Sequence, residues 1–137
     1  MSTFVDSSAW FAAINLKDKH HLRSAALVTG GTDLVTTDFV LVETWLLLNA
    51  RIGFDVARSF WTGMRRGIAS IERVTPADID GAWNIGSVFA DQQFSLVDCT
   101  SFVVMERLGV TRVISFDNDF VIYRYGPNRD RAFEVLR

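Results

Sequence analysis

The chain has 137 residues, 49% of them hydrophobic and 22% charged, with a formal net charge of −2. This balance excludes a disordered segment, and the length suits one domain, residues 1–137, with a sizeable core. With one cysteine, no basic leader and no apolar run near the roughly 18 residues that cross a bilayer, the expectation is a soluble, cytoplasmic protein without disulfide or membrane contact.

Short β-rich runs alternate with longer helical patterns. Thr3–Val5 reads as a strand that stops at Asp6 and leads into a helix over Ser7–Ile14. A second helix is expected over His20–Thr29. His20 and His21 are adjacent, so they point different ways, and no third zinc ligand lies nearby. The strand Leu34–Thr37 precedes a helix over Asp38–Ala50 that carries Glu43 and is apolar nearly all round, which predicts burial. In the next helix, Asp55–Arg66, Ala57, Phe60, Trp61 and Met64 form a stripe read as core, and Arg58, Arg65 and Arg66 lie opposite it.

Ile71–Val74 reads as a strand, and Thr75-Pro76 opens a helix expected to reach Asp91, with proline at its first position. Ser95-Leu96-Val97-Asp98 reads as a capping box before the helix Asp98–Leu108. Val113–Phe116 is a strand followed at once by Asp117, and Phe133–Leu136 is a weaker one. Gly53, Gly67 and Gly109 each follow a helical pattern, where a left-handed stop suits glycine. Alternating strands and helices predict a three-layer α/β fold, its mostly parallel sheet flanked by helices. Ligands of such sheets gather at the carboxyl ends of the strands.

Four acids fall in informative places on that scheme. Asp6 and Asp117 follow strands, and Asp98 lies in the first turn of a helix. Taken singly, Asp6, Asp117 and Asp119 have an ordinary explanation as caps or turn residues, and Asp98 as part of a capping box. Glu43 is too deep in its helix for a cap, and no base lies three or four positions away. Either it points along the helix to solvent, or it is protonated, paired or metal-bound to offset desolvation. An oxygen-only ligand set favours Mg²⁺ or Mn²⁺ over zinc. Two such ions about 4 Å apart activate water and stabilise the leaving oxygen of a phosphodiester. The acidic net charge lacks the basic excess usual for a nucleic-acid binder, but bound divalent ions reverse the sign of such a site.

The segments Phe4-Val5-Asp6-Ser7-Ser8-Ala9-Trp10, Thr36–Thr44, Ser95–Asp98 and Ile114–Phe120 resemble, in order and spacing, the four motifs of PIN-domain nucleases. The likeness spans the chain and looks closest to the VapC-type toxins of bacterial toxin–antitoxin pairs. It implies metal-dependent endonucleolytic cleavage of RNA, with Asp6, Glu43, Asp98 and Asp117 as metal-binding acids and Asp119 as a fifth. It also implies supporting hydroxyls from Ser7 and Ser115, RNA contacts from Arg58, Arg65 and Arg66, a small antitoxin partner and a homodimer. Arg124, Arg129 and Arg131 are further candidates for contact with RNA or antitoxin. One departure is Asp38-Phe39, where many relatives carry proline.

Two other readings fit parts of the pattern. A housekeeping PIN nuclease would process RNA without an antitoxin. A receiver-type signalling domain also carries acids at strand ends, but it needs a pair of acids after the first strand and a lysine after the last. Here Asp6 stands alone and no lysine follows Lys19. A P-loop enzyme is excluded by the absence of GxxxxGK[ST].

Overall fold

The structure, a computed structural model, describes residues 1–137. Five parallel strands form one sheet: β1 (Thr3–Val5), β2 (Leu34–Thr37), β3 (Ser70–Glu72), β4 (Arg112–Ile114) and β5 (Glu134–Leu136), in the order β3-β2-β1-β4-β5. The flanking helices are α1 (Ser7–Ile14), α2 (His21–Gly30), α3 (Asp38–Arg51), α4 (Phe54–Arg65), α5 (Pro76–Val88), α6 (Leu96–Leu108) and α7 (Asp119–Ile122). The expected three-layer α/β architecture is therefore present.

The chain builds outward from β1 to β2 and β3, then returns to β4 on the other side of β1. Strand direction of travel across the sheet thus reverses at the β1–β4 pair, whose register is Thr3 with Arg112, Phe4 with Val113 and Val5 with Ile114. A crevice opens at such a switch point, outside the carboxyl ends of the strands. β1 is buried along its whole length, as its β-branched and aromatic residues require.

The core beneath this edge is aromatic. Phe102 of α6 stacks on Tyr123 with centroids 4.1 Å apart, and meets Phe120 of α7 edge-on at 5.0 Å. All three are fully buried. Phe102 lies one helical turn beyond Asp98, and Phe120 follows Asp119 directly. The same contact that seals the core therefore sets the spacing between these two acids.

Several expectations are corrected. The helix expected over Pro76–Asp91 ends at Val88 and gives way to a 3-10 turn, Ala90–Gln92. α7 was not foreseen, because four residues show no periodicity. β4 ends at Ile114, so Asp117 sits in a loop rather than directly after the strand. α3 is not buried all round: Val42 and Leu46 are more than half exposed. Trp61 also leaves the expected core stripe and is 45% exposed, while Ala57, Phe60 and Met64 are buried. Gly109 stops α6 at φ 69, in the left-handed region.

Candidate active site

Asp6 caps α1, its Oδ2 accepting the Ser8 N–H at 3.3 Å, as an aspartate between strand and helix is suited to do. The same oxygen accepts the hydroxyls of Ser8 at 2.7 Å and Ser115 at 3.0 Å. Oδ1 has only a long 3.5 Å approach from the Ser7 hydroxyl, and Ser7 has one proton, which it donates to Glu43 Oε1. One carboxylate oxygen of Asp6 is thus saturated and the other is left with free lone pairs.

Ser95 caps α6 by accepting the Asp98 N–H at 3.0 Å. The return bond of a capping box, from the Ser95 N–H to the Asp98 carboxylate, is not made. At Thr75 and Asp78 both bonds are present. This difference frees the Asp98 side chain. It turns instead towards Asp117 and Asp119, and one oxygen from each of the three lies within 4.8 Å of the others. Asp119 reaches this position because its N–H donates to Asp117 Oδ1 at 2.9 Å, which folds the loop into the first turn of α7.

The charges are unbalanced. Burial raises Asp6 to about 6, with the bonds from Ser8 and Ser115 holding it from going further. Asp98 is pushed well above the carboxylate range, first by burial, then by a hydrogen bond with Asp119 and by repulsion from Asp6, Asp117 and Asp119. Asp117 is raised as well, by burial and by Asp119. None of these acids has a cationic partner; the ion pairs of the chain involve Arg107 and Arg112. Such a set of hard oxygen donors, short of positive charge, fits a divalent cation of the Mg²⁺ or Mn²⁺ kind.

The five candidate acids are therefore brought together unequally. Asp98, Asp117 and Asp119 form the tight group, with Asp6 close enough to repel Asp98. Glu43 stands outside that group and is joined to Asp6 only through Ser7. Ser115 is fully buried and its hydroxyl donates to Asp6 Oδ2. Ser8 was overlooked. Its hydroxyl donates to Asp6 and accepts the Phe116 N–H at 3.0 Å, tying the turn after β1 to the loop after β4. The only sequence signal was a hydroxyl two residues past a capping aspartate. Arg58 and Arg66 line a groove confined to α4, with Asp55, Ser59, Thr62 and Gly63 and none of the acids above.

Carboxylates converge on the switch point of this parallel α/β sheet, and the chain belongs to the PIN domain family, whose sequence profile matches residues 3–125. It is 35% identical over 118 residues to the 23S rRNA-specific endonuclease VapC20 of Mycobacterium tuberculosis, covering 85% of this chain and 90% of that protein. The crystal structure of VapC20, described as a sarcin–ricin loop cleaving toxin, superposes with a TM-score of 0.83 at 32% identity, over 87% of this chain and 92% of the other. Ribonuclease VapC26 of the same organism is 22% identical over 114 residues, 82% of this chain and 84% of that protein. The fold is shared with a chain of the Rickettsia felis VapBC2 structure, at a TM-score of 0.67 and 12% identity over the full length of both.

Proposed function

We propose that this protein is a divalent-metal-dependent endoribonuclease and the toxin of a toxin–antitoxin pair, acting in the cytoplasm. The observation that carries the reading is the convergence of Asp98, Asp117 and Asp119 beside Asp6 at the β1–β4 switch point. Family membership and the likeness to an rRNA endonuclease support it. The 23S rRNA sarcin–ricin hairpin is the first substrate to test, because VapC20 carries that description.

Asp98, Asp117, Asp119 and the free Oδ1 of Asp6 would hold Mg²⁺ or Mn²⁺. Bound there, the cation supplies activation of water and stabilisation of the leaving oxygen at phosphorus. The protein's own part is positional. Ser8 and Ser115 fix Asp6 through Oδ2, so that Oδ1 keeps one direction. Asp117 is held by its bond from Asp119 N–H, and the Asp117 N–H by Ser115 Oγ at 3.1 Å. Ser7 orients Glu43, which completes the acidic rim from α3.

The partner reading is a small antitoxin laid on the exposed apolar side of α3. The groove there measures about 760 Å³ and is lined by Phe39, Val42, Leu46, Leu47 and Val97, with Glu43 among them. Large exposed apolar surface of this kind marks partner sites. A segment seated there would lie beside the acidic rim. A homodimer, with the exposed Ile79 and Trp83 of α5 at its interface, is the matching oligomeric proposal. The test is induction in the natural host with sequencing of RNA ends. New ends in one RNA, absent with Asp98→Asn and suppressed by a co-expressed small protein encoded beside it, support the reading. Harmless expression of both forms contradicts the toxin part, and cleavage without toxicity moves the housekeeping nuclease ahead.

A further inference from the structure

Lys17 and Lys19 are the only lysines in 137 residues, and they lie together in the connection between α1 and α2. Both are exposed, as is Arg23 one turn further on. None of the three enters an ion pair. The one acid among them, Asp18, is used to hold the turn: its Oδ1 accepts the His20 N–H at 2.7 Å. Even with Asp18 counted, Lys17, Lys19 and Arg23 leave the turn with a net charge of +2 on a chain that is acidic overall.

Its position is set by His20. The imidazole lies flat on the Phe116 ring, with centroids 4.5 Å apart and planes 17° from parallel. Phe116 stands between Ser115, which bonds Asp6, and Asp117 of the acidic group. Neighbouring Cα atoms are about 3.8 Å apart, so the stack pins the basic turn to the loop that carries the site. The two histidines part company here. His21 turns inward, its Nδ1 2.9 Å from the Ala12 carbonyl. The His20 side chain makes no cap hydrogen bond, and neither of its nitrogens is a buried orphan.

We infer that Lys17, Lys19 and His20 form the surface that holds the RNA backbone next to the phosphate being cut. The inference rests on the ribonuclease reading. A carboxylate centre carrying metal neutralises the phosphate at the reaction point, but the flanking phosphates must find their cations on the protein. Arg58 and Arg66, two of the three arginines expected from the sequence to do this, line a groove that includes none of the candidate metal-binding acids. The α1–α2 turn is tied to the site through one aromatic contact. Its lysines meet phosphate oxygens, and the free edge of His20 donates to a phosphate or 2′-hydroxyl oxygen.

The test measures anisotropy and cleavage of a labelled single-stranded RNA by the full-length protein in Mn²⁺. The variants are Lys17→Gln with Lys19→Gln, and separately His20→Phe, which keeps a ring on Phe116 but has no nitrogen. The lysine pair is expected to raise KM several-fold with kcat unchanged, and to flatten the log–log salt dependence of binding by about 1.4, two single-strand contacts. His20→Phe is expected to raise KM alone, whereas His20→Ala also lowers kcat, because the Asp117 loop loses its support. Unchanged KM and salt slope in both the lysine pair and His20→Phe, with thermal unfolding like the parent's, overturn the inference. So does a loss confined to Arg58→Gln with Arg66→Gln. Binding that weakens as expected in a parent that cuts no RNA would remove the nuclease reading and leave this surface. A parent that binds no RNA removes both.

Discussion

The hydroxyl of Ser115 donates to Asp6 Oδ2 across 3.0 Å, bridging the ends of the two strands where the sheet reverses its order. Ser115 is fully buried and also accepts the Asp117 N–H at 3.1 Å. Replacing it with alanine removes both bonds and strands a backbone donor. Ser115→Ala is expected to lose about 1–3 kcal/mol of stability in urea denaturation. Asp6 should titrate higher, since one of the bonds holding it down is gone, and cleavage should fall with it. Stability and Asp6 titration both unchanged would show that the bridge does not organise the site.

The raised carboxyls give the metal-free protein an unusual pH dependence. Asp6 titrates at its ordinary 3.8 when unfolded and at about 6 when folded, so the folded state binds the extra proton. Stability from this group is fully present below pH 3.8 and is lost as pH rises through about 6, a change of about 3 kcal/mol. Asp98, raised to about 9, extends the loss to higher pH, and Asp117, also raised, adds to it. Asp78 works the other way. Burial opposes its ionisation, but hydrogen bonds from Arg107 and Thr75 hold it below its ordinary value, so its contribution fades as pH falls below 3.8. The metal-free protein should therefore lose stability steadily as pH rises from about 4 towards 8. Mn²⁺ at a hundredfold excess over its dissociation constant should restore about 2.7 kcal/mol at pH 8. Thermal melts at several pH values, with EDTA and with Mn²⁺, read both effects.

Asp119 and Glu43 should separate by metal affinity. Asp119 belongs to the tight group of three, whereas Glu43 is held off it by Ser7. Residues that only orient a ligand typically cost tenfold to a hundredfold in affinity when changed. Asp119→Asn is expected to weaken Mn²⁺ binding by at least about a hundredfold, and Glu43→Gln by about tenfold or less. Glu43→Gln keeps an oxygen to accept the Ser7 hydroxyl, so its metal-free stability should stay within about 1 kcal/mol of the parent. Titration calorimetry and urea melts measure the two quantities. The reverse ranking would return Asp119 to a turn residue and bring Glu43 into the metal shell.

What could be read from the residues follows from the range of the interactions. The β1–Asp6–α1 unit is local: a β-branched strand, a capping aspartate and a helix within a dozen residues, all in the expected place. Asp98 was legible as a first-turn acid, but its release from the capping box depends on Asp117 and Asp119, which arrive from across the fold. Glu43 was placed too deep because hydrophobicity alone does not separate a core face from an unpartnered one; Val42 and Leu46 are apolar yet exposed. Ser8 escaped notice for a similar reason. Its bonds to Asp6 and to Phe116 join segments 108 positions apart, and no local pattern encodes the second of them.

The most direct test of the acidic group as a metal-dependent RNA-cleaving centre uses the purified full-length protein and an RNA carrying the sarcin–ricin hairpin. Cleavage is followed with Mn²⁺, with EDTA, and with Asp98→Asn, and the cut ends are sequenced. Ser95 rather than Asp98 caps α6, so the variant keeps its helix start. Replacing a buried, repelled carboxylate by a neutral amide should leave it at least as stable as the parent without metal. The expected result is a discrete cut made by the parent in Mn²⁺, none in EDTA, and a loss of several orders of magnitude in the folded variant. Equal cleavage in EDTA, or by folded Asp98→Asn, would contradict it.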